Sequence, residues 1–255
     1  MKREFETVTV TDLSEFAKEV VPRLGPNRQP IYRGQESVDW ALRPGLYRED
    51  LNMSGFDEWP EIEADLIQKL KTRGETDLGY RPETELEWMA AAQHIGMPTR
   101  LTAWTPNPLV GLYFAIRATA SVSGDAVVWR MMPEEDADLV IAHDHENVPT
   151  QPKVFFPKLP TEEMRAQRVC FVSHPLPSGP DKQAASLETV YERGVGRIHL
   201  CQIVIPEGAK MALRRELAAH GVDAYTVSPT AAGRAQQIRD EIGMVTDRYD
   251  WVFDQ

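Results

Sequence analysis

The sequence predicts an α+β fold on three observations. Apolar residues recur at helical spacing through most of the first half, continuous or alternating strand-like runs dominate the second, and Gly, Pro and Asn punctuate the boundaries. A chain of 255 residues suits one large domain, and it holds no internal repeat and no low-complexity tract.

The elements follow in order. Thr11 is placed to cap a helix carrying Leu13, Phe16, Val20 and Leu24, and Pro26 to Pro30 breaks it. Ile31 and Tyr32 start a short strand that ends at Gly34. Trp40, Leu42, Pro44, Leu46 and Tyr47 read as an extended segment laid on the domain. A helix from Asp57 carries Ile62, Leu66, Ile67 and Leu70 and stops near Gly74. The next runs from Thr84 to Ile95 with Gly96 as its C-cap, and a largely apolar, central helix spans Asn107 to Ala120 with Pro108 in its first turn.

Gly124 and Asp125 turn the chain into a strand over Ala126 to Met132. The acidic, Pro-rich stretch 133–160 reads as a surface excursion with one strand at Lys153 to Phe156. Strands are expected at Arg168 to Ser173 and Ile198 to Ile205, separated by the loop Pro175 to Ala185. Helices at Glu207 to His220 and from Pro229, which follows Ser228, to about Ile242 make residues 207–255 a C-terminal helical region. The whole of 1–255 is taken as a single domain whose motif-bearing core is about 30–175.

Composition narrows the function classes. The net charge is -11, from 39 acidic and 28 basic residues, so no cationic excess drives binding to nucleic acid or anionic lipid. No window approaches a membrane span, and the N-terminus lacks the apolar core of a secretory signal; a cytoplasmic location is expected. Cys170 and Cys201 form no CxxC pair and read as buried, reduced thiols. His143 and His145 have metal-like types but sit in the acidic excursion, where a solvated turn is the simpler reading. No metal is expected. GxGxxG, GxxxxGK[ST], GxSxG and HExxH are all absent.

Two stretches concentrate polar residues inside apolar sequence: IYRGQ (Ile31 to Gln35) and WMAAAQHIGMPTRLTAWTPNPLVGLYFA (Trp88 to Ala115). A polar group placed in such surroundings must be hydrogen-bonded or costs roughly 1–3 kcal/mol. Arg33, at a strand end before Gly34, reads either as an anion-binding fork or as a partner of Glu36 or Asp39. His94 reads as a general base, a ligand contact or a cation at a helix C-terminus. Trp40, Trp104 and Tyr32 are either stacking surfaces or plain core. Glu188 and Glu192, four apart, share one helix face.

These stretches, with W-x-L-x-P-x-L-Y-R at Trp40 to Arg48 and AQRVCFVSHP at Ala166 to Pro175, resemble the FRG domain, named for its aromatic-Arg-Gly motif. A weaker likeness is to ADP-ribosyltransferases of the Arg-Ser-Glu class. It aligns Arg33 with the arginine that holds NAD, Ala103-Trp104-Thr105 with the Ser-Thr-Ser strand, and PNPLVGLYFA with the following helix.

That likeness implies an ADP-ribosyltransferase-like split β-sheet core flanked by helices, with NAD as substrate. The residues it draws into catalysis are Arg33, Gln167 and His94. Binding would fall to Tyr32, Arg33, Gly34, Gln35, Gln93, Thr99, Arg100, Trp104, Thr105 and Asn107. Gln167 stands where that class has its glutamate, and Glu162, Glu163, Glu188 and Glu192 are the alternatives for the missing carboxylate.

The implied function is ADP-ribosyl transfer or NAD hydrolysis inside the cell, in a toxin or phage-defence setting, with a protein or nucleic-acid acceptor that the sequence does not specify. The alternative is a non-catalytic module that binds a nucleotide or a partner in the same pocket.

Overall fold

The computed structural model describes residues 4–20, 29–48, 55–117, 123–133, 139–140, 152–157, 161–177, 185–193 and 198–253. It is an α+β fold built around two four-stranded sheets. The elements in chain order begin with β1 (Glu6–Thr9), α1 (Leu13–Val20), β2 (Ile31–Gln35), a 3₁₀ turn (Gly45–Arg48), α2 (Trp59–Arg73) and α3 (Glu85–His94). There follow β3 (Leu101–Trp104), α4 (Pro108–Ile116), β4 (Ala126–Pro133), β5 (Leu139–Val140), β6 (Lys153–Phe155), α5 (Glu162–Gln167) and β7 (Cys170–Ser173). The chain continues through α6 (Leu187–Glu192), β8 (Ile198–Ile205), α7 (Lys210–Ala219), α8 (Ala224–Val227) and α9 (Ala231–Phe253).

The first sheet has the order β1-β8-β4-β2 and the second β3-β7-β6-β5. Within the first, β1 runs parallel to β8 and the other pairings are antiparallel. Among the described residues, one backbone bridge joins the sheets. Tyr32 N–H donates to Thr105 O at 2.7 Å, and Thr105 N–H returns the bond to Tyr32 O at 2.9 Å, so the edge of β2 is stitched to the end of β3.

Strand alternation explains the layers. Val128, Ile203 and Ile205 of the first sheet point to one side, where Phe16 of α1, Leu112 and Ile116 of α4, and Leu213 and Leu217 of α7 cover them. Val127, Trp129, Met131 and Leu200 point to the other side, against Trp104, Val154, Cys170 and Val172 of the second sheet. The far face of that sheet presents Leu101, Phe155 and Phe171 to α3 and to Met164 of α5. The order is therefore helices, sheet, sheet, helices, and β4 and β8 are largely buried between these layers.

Several boundaries depart from the sequence reading for local reasons. Asp12 rather than Thr11 caps α1, its Oδ1 accepting from Glu15 N–H at 2.8 Å, and Leu24 lies outside the described residues. The segment Trp40 to Tyr47 is not wholly extended but ends in the 3₁₀ turn, with Leu46 and Tyr47 buried. Part of the expected surface excursion is core: Val154 and Phe155 are 2% and 0% exposed as β6 of the second sheet. His143, His145 and the GVGR string lie outside the described residues. The strand expected from Arg168 begins at Cys170, because Arg168 takes a left-handed conformation (φ 50°) that terminates α5.

Among the described residues, no helix is long and apolar enough to cross a membrane, and no group of three or more His, Cys, Asp or Glu side chains is placed to hold a metal.

Candidate functional site

The glycines of the two polar stretches set the geometry. A methyl on Gly34 would lie 2.1 Å from Gly111 O and 2.4 Å from Ala115 N, and one on Gly111 would lie 2.9 Å from Tyr32 Cβ. Bare backbone on both sides is what lets α4 lie directly on β2. The close approach at Gly34 is thus that of a helix. α4 starts where Asn107 Oδ1 accepts from Leu109 N–H at 3.1 Å and Pro108 occupies the first turn.

Beside this contact a cavity of about 500 Å³ opens at the junction of the two sheets. One wall comes from β2, the following loop and α4, through Arg33, Glu36, Trp40, Arg48, Phe114 and Arg117. The opposite wall comes from α3 and α5, through Gln93, His94, Glu163 and Gln167.

Arg33 is the centre of the first wall. Its Nη1 donates to Ala103 O at 2.7 Å, while its buried Nε has no hydrogen-bond partner. Desolvation first, then the neighbouring Arg48 and Arg117, lower its pKa from 12.5 to about 10, so it stays charged at neutral pH. Glu36, one of its expected partners, is taken by Arg117 (Nε to Oε1, 3.0 Å). A half-buried guanidinium near two more, with no carboxylate paired to it among the described residues, is an arrangement that can accept an anion.

The second wall is built on Glu163. Ser228 Oγ donates to its Oε1 at 2.5 Å, Gln167 Nε2 reaches the same oxygen at 3.4 Å, and His94 Nε2 lies 3.4 Å from its Oε2. Thr161 caps α5 and also touches His94 Nε2 at 3.3 Å. Burial lowers the His94 pKa below 6.5, and the adjacent Glu163 opposes that only in part. The ring is therefore neutral at pH 7, as a proton acceptor must be, although it also ends α3.

The remaining sequence-selected residues divide in two. Tyr32, Gly34, Gln35, Trp104 and Thr105 line the cavity with their hydrogen-bonding groups largely engaged in the fold. Tyr32 OH donates to Val20 O, Gln35 Oε1 accepts from Trp129 Nε1 at 2.8 Å, and Thr105 Oγ1 donates to Gln167 O at 2.7 Å. Trp104 Nε1 donates to Thr102 Oγ1 at 2.9 Å, and that hydroxyl meets His174 Nε2 at 3.1 Å.

Thr99, Arg100 and Asn107 do not line the cavity. Thr99 Oγ1 accepts from Leu101 N–H at 3.2 Å, and Asn107 is spent as the α4 cap. Arg100 forms a buried pair with Glu63 of α2, which accepts from its Nε at 2.6 Å and its backbone N–H at 2.9 Å. Glu188 faces away too, its Oε1 accepting from Leu42 N–H at 2.7 Å. Of the four glutamates left open by the sequence, Glu163 is the one that reaches the cavity.

Residues 28–123 match the model of the FRG domain. Over those residues the chain is similar to the FRG domain. No curated protein and no solved structure matches the chain. The FRG match ends short of AQRVCFVSHP, so it covers the arginine wall and His94, while Glu163 and Gln167 come from sequence beyond it. The sequence leaves Glu163 one of four candidates because it sits on a six-residue helix with no motif of its own. Its signal is the Thr161 cap, with Glu163 and Gln167 four apart on one face.

Proposed function

We propose that the cavity binds a nucleotide and that its substrate is NAD, cleaved at the bond between nicotinamide and ribose. The observation that carries this reading is Arg33, half-buried with a buried, unpartnered Nε, lining one 500 Å³ cavity with a carboxylate and a neutral imidazole. The diphosphate lies against Arg33. Glu163 accepts a hydrogen bond from the ribose 2′-OH and stabilises the positive charge that develops at C1′. The C1′–N bond breaks and nicotinamide leaves with the electron pair, neutralising its ring. A water or acceptor oxygen or nitrogen forms the new bond to C1′, and its proton passes to His94. Gln167 acts through Glu163, holding the carboxylate from one turn away. The toxin or phage-defence setting belongs to this reading as the context in which consuming NAD would matter.

A second reading has its own observation. Both oxygens of Glu163 already meet donors, from Ser228 and Gln167 on one side and His94 on the other. A carboxylate so engaged favours a pocket that binds a nucleotide without turning it over.

Nicotinamide release from NAD separates the two. The first reading expects release by the protein, its loss in Arg33→Ala, and a drop of about a hundredfold or more in Glu163→Gln. Full release by Glu163→Gln would exclude that carboxylate. NAD binding by calorimetry without release would establish the second reading.

A further inference from the structure

The arginine wall extends beyond Arg33. Arg48 closes the 3₁₀ turn, one of its nitrogens donating to Arg43 O at 3.1 Å. Arg117 ends α4 and stacks over Phe114 at 5.1 Å while pairing with Glu36. Three guanidiniums and one carboxylate line this wall and leave it two positive charges, the number a dinucleotide's diphosphate carries as negative.

Trp40 stands in the same wall. The cavity's other indole, Trp104, is 2% exposed and part of the core, whereas Trp40 is 44% exposed and belongs to no core cluster. Its loop is nevertheless held: Trp40 N–H donates to Ser37 O at 3.3 Å, and Gln35 Nε2 reaches Ala41 O at 3.5 Å. An exposed indole on an anchored loop, lining the same cavity as three guanidiniums of which one is paired with Glu36, suits a ligand with a flat base at one end of adjacent phosphates. The ring accepts the π-face of a base and the guanidinium forks accept the oxygens.

We propose that Trp40, Arg48 and Arg117, with Arg33, form a subsite for the nucleoside-diphosphate half of the ligand, the base stacked on Trp40 and two adjacent phosphates spread over the three arginines. This rests on the nucleotide reading of the cavity and deepens it by giving the ligand a direction. The base end lies by the loop after β2, so the far ribose reaches Glu163 and His94 on the opposite wall. One phosphate would leave part of the positive wall uncompensated, so a diphosphate is preferred to a monophosphate.

Calorimetric titration with ADP-ribose, ribose 5-phosphate and inorganic pyrophosphate tests the subsite. ADP-ribose binds most tightly of the three. Trp40→Ala weakens ADP-ribose about tenfold or more while changing pyrophosphate less than about twofold, and Trp40→Phe restores most of the loss. Arg48→Ala weakens both ligands about tenfold. Trp40→Ala binding ADP-ribose as tightly as the unaltered protein would overturn the proposal, as would ribose 5-phosphate matching ADP-ribose. The outcomes are independent of catalysis: base-dependent binding without nicotinamide release keeps the subsite and removes the cleavage. Release with a Trp40-independent affinity removes the subsite alone.

Discussion

His174 makes the stability of this protein depend on pH in a calculable way. It is 1% exposed, and its Nε2 meets Thr102 Oγ1 at 3.1 Å. Burial, with a smaller contribution from the charge of Arg33, lowers its pKa from 6.5 to about 3. In the unfolded chain the ring takes up a proton as pH falls through 6.5, while in the folded protein it stays neutral down to about 3. The unfolded state therefore binds more protons throughout that window, and stability falls as pH falls. At pH 5 the ring alone removes roughly 2 kcal/mol relative to pH 7, at about 1.4 kcal/mol for each pH unit below 6.5.

Urea unfolding of the protein and of His174→Gln at pH 7 and pH 5 isolates this contribution. The variant starts less stable because a packed ring is lost, but its deficit shrinks by roughly 2 kcal/mol at pH 5. A deficit that stays constant to within about 0.5 kcal/mol would mean that His174 titrates alike in both states, and the burial argument would fail. His94 shifts in the same direction and is common to both proteins, so it cancels in the comparison.

The scaffold gives two further expectations. Gly34→Ala forces a methyl to within 2.1 Å of the Gly111 carbonyl and 2.4 Å of Ala115 N, and backbone cannot rotate away as a side chain would. The loss is roughly 3 kcal/mol, lowering the melting temperature by about 6–12 °C, and an unchanged melting temperature would show that α4 does not rest on Gly34. Glu63→Gln leaves the Arg100 charge buried and costs roughly 3–5 kcal/mol in denaturant unfolding, whereas Glu63→Leu with Arg100→Met recovers much of that loss. Equal stability of the single and double variants would remove the unpaired charge as the cause.

Where sequence signals are local, the fold was legible in advance. The β8 range agrees to the residue, α3 starts and stops where Thr84 and Gly96 flank it, and α4 starts at the Asn107 cap and Pro108 but ends at Ile116, short of the expected Ala120. Half of the second sheet is legible, as β6 and β7 fall where strands are expected, whereas β3 and β5, four and two residues long, are too short for a periodic signal. α8, four residues held by a reciprocal Asp223–Thr226 box, is too short for any periodicity. In the site, Arg33, Gln93, His94 and Gln167 can be named from sequence, but Arg48 and Arg117 cannot, and Glu163 cannot be told from three other glutamates. Arg48, Arg117 and Glu163 come from a turn, a helix end and a distant short helix, and only tertiary folding brings them to one cavity.

The density of polar residues in Ile31 to Gln35 and Trp88 to Ala115 has two origins, and they separate by hydrogen bonding. Gln35 holds Trp129, Thr102 holds Trp104, Thr105 holds the end of α5, Arg100 holds α2, and Asn107 starts α4. Each such group is satisfied within the protein and fixes one element against another. The Tyr32–Thr105 bridge and the Thr105–Gln167 bond together set how far Arg33 stands from the acidic wall. Of the buried side-chain polar atoms in these two stretches, Arg33 Nε is the one left without a partner. A buried donor is costly to leave unpaired, and this open Nε is what the proposed ligand site rests on.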